Sequence, residues 1–111
     1  VIHANPKAFE LNRRFCDEDL NRAFQFLKEE RPHSYEHQRA LELKALIDQA
    51  PAFVIDLHTT TAAMGKTVIL TSSDPTLLAL GAGLLERFPD CRLILSPDPQ
   101  KKYLATQSPL G

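Results

Sequence analysis

The chain has only two cysteines, Cys16 and Cys91, and they form no Cys-x-x-Cys pair. Two thiols are too few for a disulfide framework, and a reducing, cytoplasmic compartment fits. No apolar run reaches the roughly 18 residues needed to span a bilayer, and no signal-like start is present, so no membrane association is expected. Basic blocks are also missing. With 13 basic and 14 acidic residues the formal charge is -1, which argues against a nucleic-acid surface. Most of these charges read as a mixed, solvated surface. There is no internal repeat, no low-complexity run and no glycine-rich phosphate loop. The first residues, Val1-Ile-His-Ala-Asn-Pro6, and the last, Gln107-Ser-Pro-Leu-Gly111, read as cuts within a longer polypeptide.

One domain is expected from 111 residues, and 43% hydrophobic content allows a modest core. Val1-Ile2-His3 reads as the tail of a strand and Asn5-Pro6 as a turn. Residues 7–23 lack clean periodicity and read as loop, with a short helical turn near Lys7 to Glu10. Pro32 closes that segment. Ser34 can cap a 16-residue helix, with Glu36 in the first turn facing the positive end of the dipole. Ala40, Leu43, Leu46, Ile47 and Ala50 recur at helical spacing until Pro51. His33 and His37 read as solvated or capping residues.

Phe53-Val54-Ile55-Asp56-Leu57 is a nearly continuous apolar run, the pattern of a strand covered on both faces. Thr67–Leu70 and Arg92–Leu95 read as further strands. Between them, Ser73 or Asp74 can cap a helix that has Pro75 at its first position. Gly81 and Gly83 weaken that helix, and close packing on a sheet could explain both. Ser96-Pro-Asp-Pro99 is a rigid connection. The order strand, loop, helix, strand, strand, helix, strand predicts an α/β fold.

Two polar stretches carry candidate chemistry. Asp56 and His58 end the apolar run, followed by Thr59, Thr60 and Thr61 and a Met64-Gly65 turn. Ligands of open α/β sheets bind outside the carboxyl ends of strands, so His58 stands where chemistry is done. Asp56 could orient it. Upstream lies Arg14-Phe-Cys-Asp17-Glu-Asp19-Leu-Asn21-Arg22. Asp17 and Asp19 are placed to hold Arg14 or Arg22 through forked ion pairs, leaving donors for an anion. A surface salt-bridge network is the alternative reading. A calcium loop fails, because Arg22 replaces the sharp-turn glycine and Lys28 the final glutamate.

Taken together, Asn5-Pro6-Lys7-Ala8, the stretch Arg14 to Arg22, Asp56-Leu-His58-Thr-Thr-Thr and Tyr103 resemble the aspartoacylase and succinylglutamate desuccinylase family, a branch of the zinc carboxypeptidase-like group. The resemblance covers nearly all of this chain but only the middle portion of a family member. It implies a three-layer α/β/α fold with a mixed, partly parallel sheet. Residues 1–111 would be the central fragment of a zinc-dependent acylase catalytic domain whose N-terminal and C-terminal parts are missing.

The resemblance implies roles residue by residue. His58 looks like the last of three zinc ligands. Asn21 and Arg22 look like the pair that grips the substrate carboxylate, Arg14 like the cation beside the scissile carbonyl, and Tyr103 like a further substrate contact. Asp17, Asp19 and Asp56 look supporting. A His-x-x-Glu motif with the other ligands would precede Val1; His3 cannot replace it, because Pro6 stands where the glutamate belongs. The general-base glutamate would follow Gly111. Where N-acetylaspartate-specific members have an arginine shortly after the tyrosine, this chain has Gln107, which removes the basis for a strict N-acetylaspartate preference.

The expected function is zinc-dependent hydrolysis of an N-acyl amino acid, most simply N-acetyl-L-aspartate to acetate and aspartate. A desuccinylase, an N-acyl aromatic amino acid deacylase and a non-catalytic anion-binding module are the alternatives. The partner is a small molecule, and assembly into a homo-oligomer is left open.

Overall fold

The computed structural model describes residues 2–29, 31–49, 54–60, 62–98 and 100–109. Its first element grows out of Asn5-Pro6. The Asn5 side chain accepts from the Ala8 amide and Pro6 fills the first turn, so α1 runs Pro6–Glu10. The expected turn is thus a helix start, and the expected helical turn at Lys7–Glu10 is present. Ile2 and His3 form no strand, and Val1 lies outside the described residues. Asp19 starts α2, Leu20–Ala23, by accepting from the Asn21 amide, and a 3-10 turn, Phe24–Phe26, continues it. Residues 7–23 are therefore less loop-like than their periodicity suggests. Side-chain caps, rather than an apolar stripe, set these short helices.

The long helix α3 spans Tyr35–Gln49. Ser34 caps it, its hydroxyl accepting from the His37 amide at 2.9 Å. The expected end at Ala50-Pro51 lies outside the described residues. Ala40 and Leu43 pack against Ala23, Phe24 and Leu104, and this cluster is the main core. Leu104 belongs to a second 3-10 turn, Leu104–Gln107, which the sequence pattern did not reveal.

The second half is a β-α-β unit. Strands β1, Thr67–Leu70, and β2, Arg92–Leu95, pair in parallel with Thr67 opposite Arg92 and Leu70 opposite Leu95. A parallel pair needs a crossover, and α4, Pro75–Arg87, supplies it, capped by Asp74 with Pro75 in its first turn. A Cβ on Gly81 would stand 3.0 Å from a Leu70 methyl and 3.1 Å from a Leu93 methyl. The missing side chain lets the helix settle on both strands. Nothing lies within 4 Å of the corresponding point on Gly83, so close packing explains one of the two glycines.

The strand expected at residues 53–57 is not formed. Phe53 lies outside the described residues, and Val54–Leu57 carry no strand pairing. Val54 packs against the core, while Ile55 is 64% and Leu57 90% exposed. A strand exists through ladder bonds to a neighbour, and no described segment offers them here. The described residues thus hold one two-stranded parallel sheet rather than a mixed one. They make a small α/β arrangement in which β2 is exposed throughout its length. The radius of gyration, 14.7 Å, exceeds the roughly 13 Å of a compact chain of this size. Among the described residues no helix is long and apolar enough to cross a membrane.

The two glycines of α4 should respond differently to alanine. Gly83→Ala should stabilise the fold by about 1 kcal/mol through helix propensity. Gly81→Ala should lose most of that gain to the Leu70 and Leu93 contacts. Denaturant midpoints check this; equal gains at both positions would contradict the packing account.

Candidate functional site

The site is built on a carboxylate. Glu36, in the first turn of α3, is fully buried. It accepts hydrogen bonds from the amides of Cys16 (2.6 Å), Asp17 (3.0 Å) and Glu18 (3.3 Å) and from the Asn5 side chain (2.9 Å). Burial pushes its pKa up. The hydrogen bonds, led by that from Cys16, outweigh burial and hold it below the usual carboxylate value. Its charge therefore faces the loop amides as well as the helix start. The stripe of Ala40, Leu43 and Ile47, extended one turn back, reaches position 36, and that extrapolation is the signal that could have found it.

The loop fastened by Glu36 carries the arginines. Asp17 does not hold either of them; its carboxylate accepts from the Tyr35 amide at 2.9 Å, at the start of α3. Asp19 does, through a single contact of 2.6 Å from Arg14 Nη2 rather than a fork. The pair is exposed, so it orients the guanidinium more than it stabilises the fold. Asn21 Oδ1 accepts from the Leu104 amide at 3.2 Å, tying α2 to the second 3-10 turn. The guanidinium of Arg22 lies 5.4 Å from the centre of the Tyr103 ring, within cation-π range. Gln107 is buried, and its amide donates to the carbonyls of Lys101 and Tyr103, so it staples this turn to its approach.

His58 is exposed, and its Nδ1 lies 2.9 Å from the Thr59 carbonyl. A carbonyl can only accept, so Nδ1 carries the proton and the Nε2 lone pair of the neutral ring is free. The orienting partner is thus the next residue's backbone and not Asp56. A side chain two residues along a strand shares its face, but this segment is not a paired strand.

These elements enclose a cleft of about 460 Å³ lined by Arg14, Asp19, Asn21, His58, Thr59 and Thr60. The structure therefore brings His58 to the loop of Arg14 and Asn21. Arg22 and Tyr103 pair with each other outside that lining, and Asp17 and Asp56 also lie outside it; Thr61 lies outside the described residues. The Asn21 amide group and the remaining Arg14 donors suit a small anion. For a metal, His58 fits as one ligand, through its free Nε2. The Asp19 oxygens are already engaged by Arg14 and the Asn21 amide. Among the described residues, the cleft's uncommitted metal-ligating nitrogen is His58 Nε2.

His33 meets the expectation of a solvated residue, whereas His37 departs from it. His33 is exposed but contacts Glu18 and Glu29, and its pKa is raised, mainly by the hydrogen bond with Glu29. His37 is fully buried, and its Nε2 has no hydrogen-bond partner among the described residues. Both cysteines are free, in line with the absence of a disulfide framework.

An α/β chain that sets an arginine, an asparagine and a histidine around one cleft invites comparison with hydrolases acting on small acids. The family model described as the succinylglutamate desuccinylase/aspartoacylase catalytic domain matches residues 1–93. A probable aspartoacylase of Nostoc sp. is 38% identical over 118 aligned residues, covering 100% of this chain and 40% of the relative. An N-acyl-aromatic-L-amino acid amidohydrolase (carboxylate-forming) of Xenopus laevis is 34% identical over 119 residues, covering 97% and 39%. The aspartoacylase of Danio rerio is 34% identical over 116 residues, covering 94% and 37%. No solved structure matches. The chain belongs to the succinylglutamate desuccinylase/aspartoacylase family. It spans about two fifths of the length of these relatives.

Glu36 sets a pH dependence. Its folded pKa lies below its ordinary 4.5, so its contribution is full above that value and fades as pH falls through the lowered folded pKa. At pH 7 Glu36→Gln should cost about 2–3 kcal/mol, the scale of hydrogen bonds to a charged group. The gap between wild type and variant should narrow below about pH 4.5. Urea denaturation across pH checks this; a gap independent of pH would contradict it.

Proposed function

We propose that this chain is the central part of a catalytic domain that hydrolyses the amide bond of an N-acyl amino acid. The observation that carries the reading is the cleft in which Arg14, held by Asp19, and Asn21 face a histidine with a free Nε2. Family membership supports it. N-acetyl-L-aspartate, giving acetate and aspartate, is the simplest substrate.

In this reading His58 Nε2 is one ligand of a zinc ion, and the others come from a His-x-x-Glu motif outside these residues. Bound zinc supplies a Lewis acid for the scissile carbonyl and lowers the pKa of water at an open coordination position. The chain's own residues position the substrate. Asn21 spends its carbonyl oxygen on Leu104, which leaves its amide N–H groups for the substrate carboxylate. Arg22, which lies over the Tyr103 ring, supplies the second carboxylate contact. Arg14 directs its remaining donors at the oxyanion that develops from the carbonyl, and Asp19 keeps it there. Asp17 supports the loop from the start of α3, and Asp56 supports the His58 segment.

A second reading is favoured by Gln107, whose amide is committed to two backbone carbonyls. It brings no positive charge to a substrate side chain, which suits an N-acyl amino acid without a second carboxylate. The aromatic-substrate amidohydrolase among the relatives is consistent with this choice.

The full-length protein should hydrolyse at least one of N-acetyl-aspartate, N-succinyl-glutamate and an N-acetyl aromatic amino acid. A chelator should abolish turnover and zinc should restore it. Arg14→Ala should lower kcat by about 10²–10³, as loss of an oxyanion donor does, and Asn21→Ala should act mainly on KM. Residues 1–111 alone should be inactive. No turnover on any of these substrates, or turnover indifferent to chelator, would contradict the proposal.

A further inference from the structure

Away from the His58 cleft, the start of α3 gathers a second set of metal-binding groups. One ligand atom from each of Glu29, His33 and His37 lies within 4.8 Å of the other two. His33 Nδ1 is 3.1 Å from His37 Nδ1 and 3.1 Å from Glu29 Oε2. Two nitrogens about 2.0–2.1 Å from a tetrahedral ion stand roughly 3.3 Å apart, so these atoms are already near the spacing of ligands around one centre. We propose that Glu29, His33 and His37 form a site for a divalent transition-metal ion, distinct from the His58 cleft.

The surroundings of His33 are an independent argument. Its other nitrogen, Nε2, lies 2.9 Å from Glu18 Oε1. A histidine that gives its remote N–H to a carboxylate presents its near nitrogen as a lone pair, the usual support of a metal-bound imidazole. Glu18 is itself fixed, by the Ser34 hydroxyl and by its own amide on Glu36. Phe26 stands edge-on to His33, with ring centres 4.9 Å apart, and tilted against His37 at 6.1 Å, giving the cluster an apolar wall.

Without an ion the three groups are poorly matched. The two Nδ1 atoms face each other, and the His37 atom also receives the backbone N–H of His33 at 3.3 Å. With its proton on Nε2 toward Glu18, His33 turns the Nδ1 lone pair toward Glu29 and His37 with no proton between them. A cation between them meets all three lone pairs together. Two imidazoles and one carboxylate select zinc, cobalt or nickel over magnesium or calcium. The exposed side chains of Glu29 and His33 leave a path in, and buried His37 is the fixed anchor. An ion here joins the segment after Phe24–Phe26 to the start of α3 and, through Glu18, to the arginine loop, so it should stabilise the fold.

The test is a Co²⁺ titration of the full-length protein followed by visible absorption, with circular dichroism as the folding control. Glu29 and His33 are surface positions, so Glu29→Gln and His33→Ala should fold. With His58 intact, His33→Ala should lower the stoichiometry from two ions to one. If the His58 zinc site of the proposed function is wrong, the fall is from one to zero. In the His58→Ala protein, Co²⁺ binding should persist and weaken at least tenfold on adding His33→Ala or Glu29→Gln. Stoichiometry unchanged by His33→Ala, or binding in the His58→Ala protein that ignores both variants, would overturn the site.

Discussion

A single buried carboxylate organises the half of the molecule that carries the cleft. Glu36 leaves water at a cost that one hydrogen bond would not offset. Three consecutive amides, at Cys16, Asp17 and Glu18, and the Asn5 amide group converge on it. The same contacts satisfy backbone donors in a loop that has no apolar stripe of its own. Both ends of the loop follow from this. Asn5 caps α1 while donating to Glu36, and Asp19, just past the bound amides, caps α2 while holding Arg14.

The cleft is a consequence of that anchoring. With the loop fixed to α3, Arg14, Asp19 and Asn21 form one wall, and residues 58–60 form the other. The second wall is held differently. Val54 packs against the main core, but Ile55 and Leu57 are left in solvent. Among the described residues, the His58 ring is set by its neighbour's carbonyl. The arginine wall is thus tied at several points and the histidine wall at few. Asn21 adds a tie of its own, since its bond to Leu104 joins the cleft to the turn that carries Tyr103.

What the sequence made legible depended on how local the signal was. Asp74-Pro75 and Ser34 are caps readable from neighbouring residues, and α4 and α3 start where they indicate. The short β-branched and leucine runs at 67–70 and 92–95 pair as strands because each finds the other. The apolar run at 53–57 has the same local character without a described partner, and no ladder forms. Glu36 was legible as a first-turn acid, but its burial, like that of His37, was not. A charged residue in the first turn of a helix looks like a dipole partner, and only the distant amides at 16–18 make burial tolerable. The meeting of His58 with Arg14 and Asn21 was reached through motif resemblance, whereas the pairing of Arg22 with Tyr103 depends on tertiary contacts that no spacing encodes.

The most direct test of this account is amide hydrogen exchange at Cys16, Asp17 and Glu18 in wild type and Glu36→Ala. The account requires protection at these three amides to collapse in the variant while β1, α4 and β2 keep theirs, because the β-α-β unit does not rely on the carboxylate. Protection at 16–18 that survives the loss of Glu36 would show that something else holds the arginine loop, and the account would be contradicted.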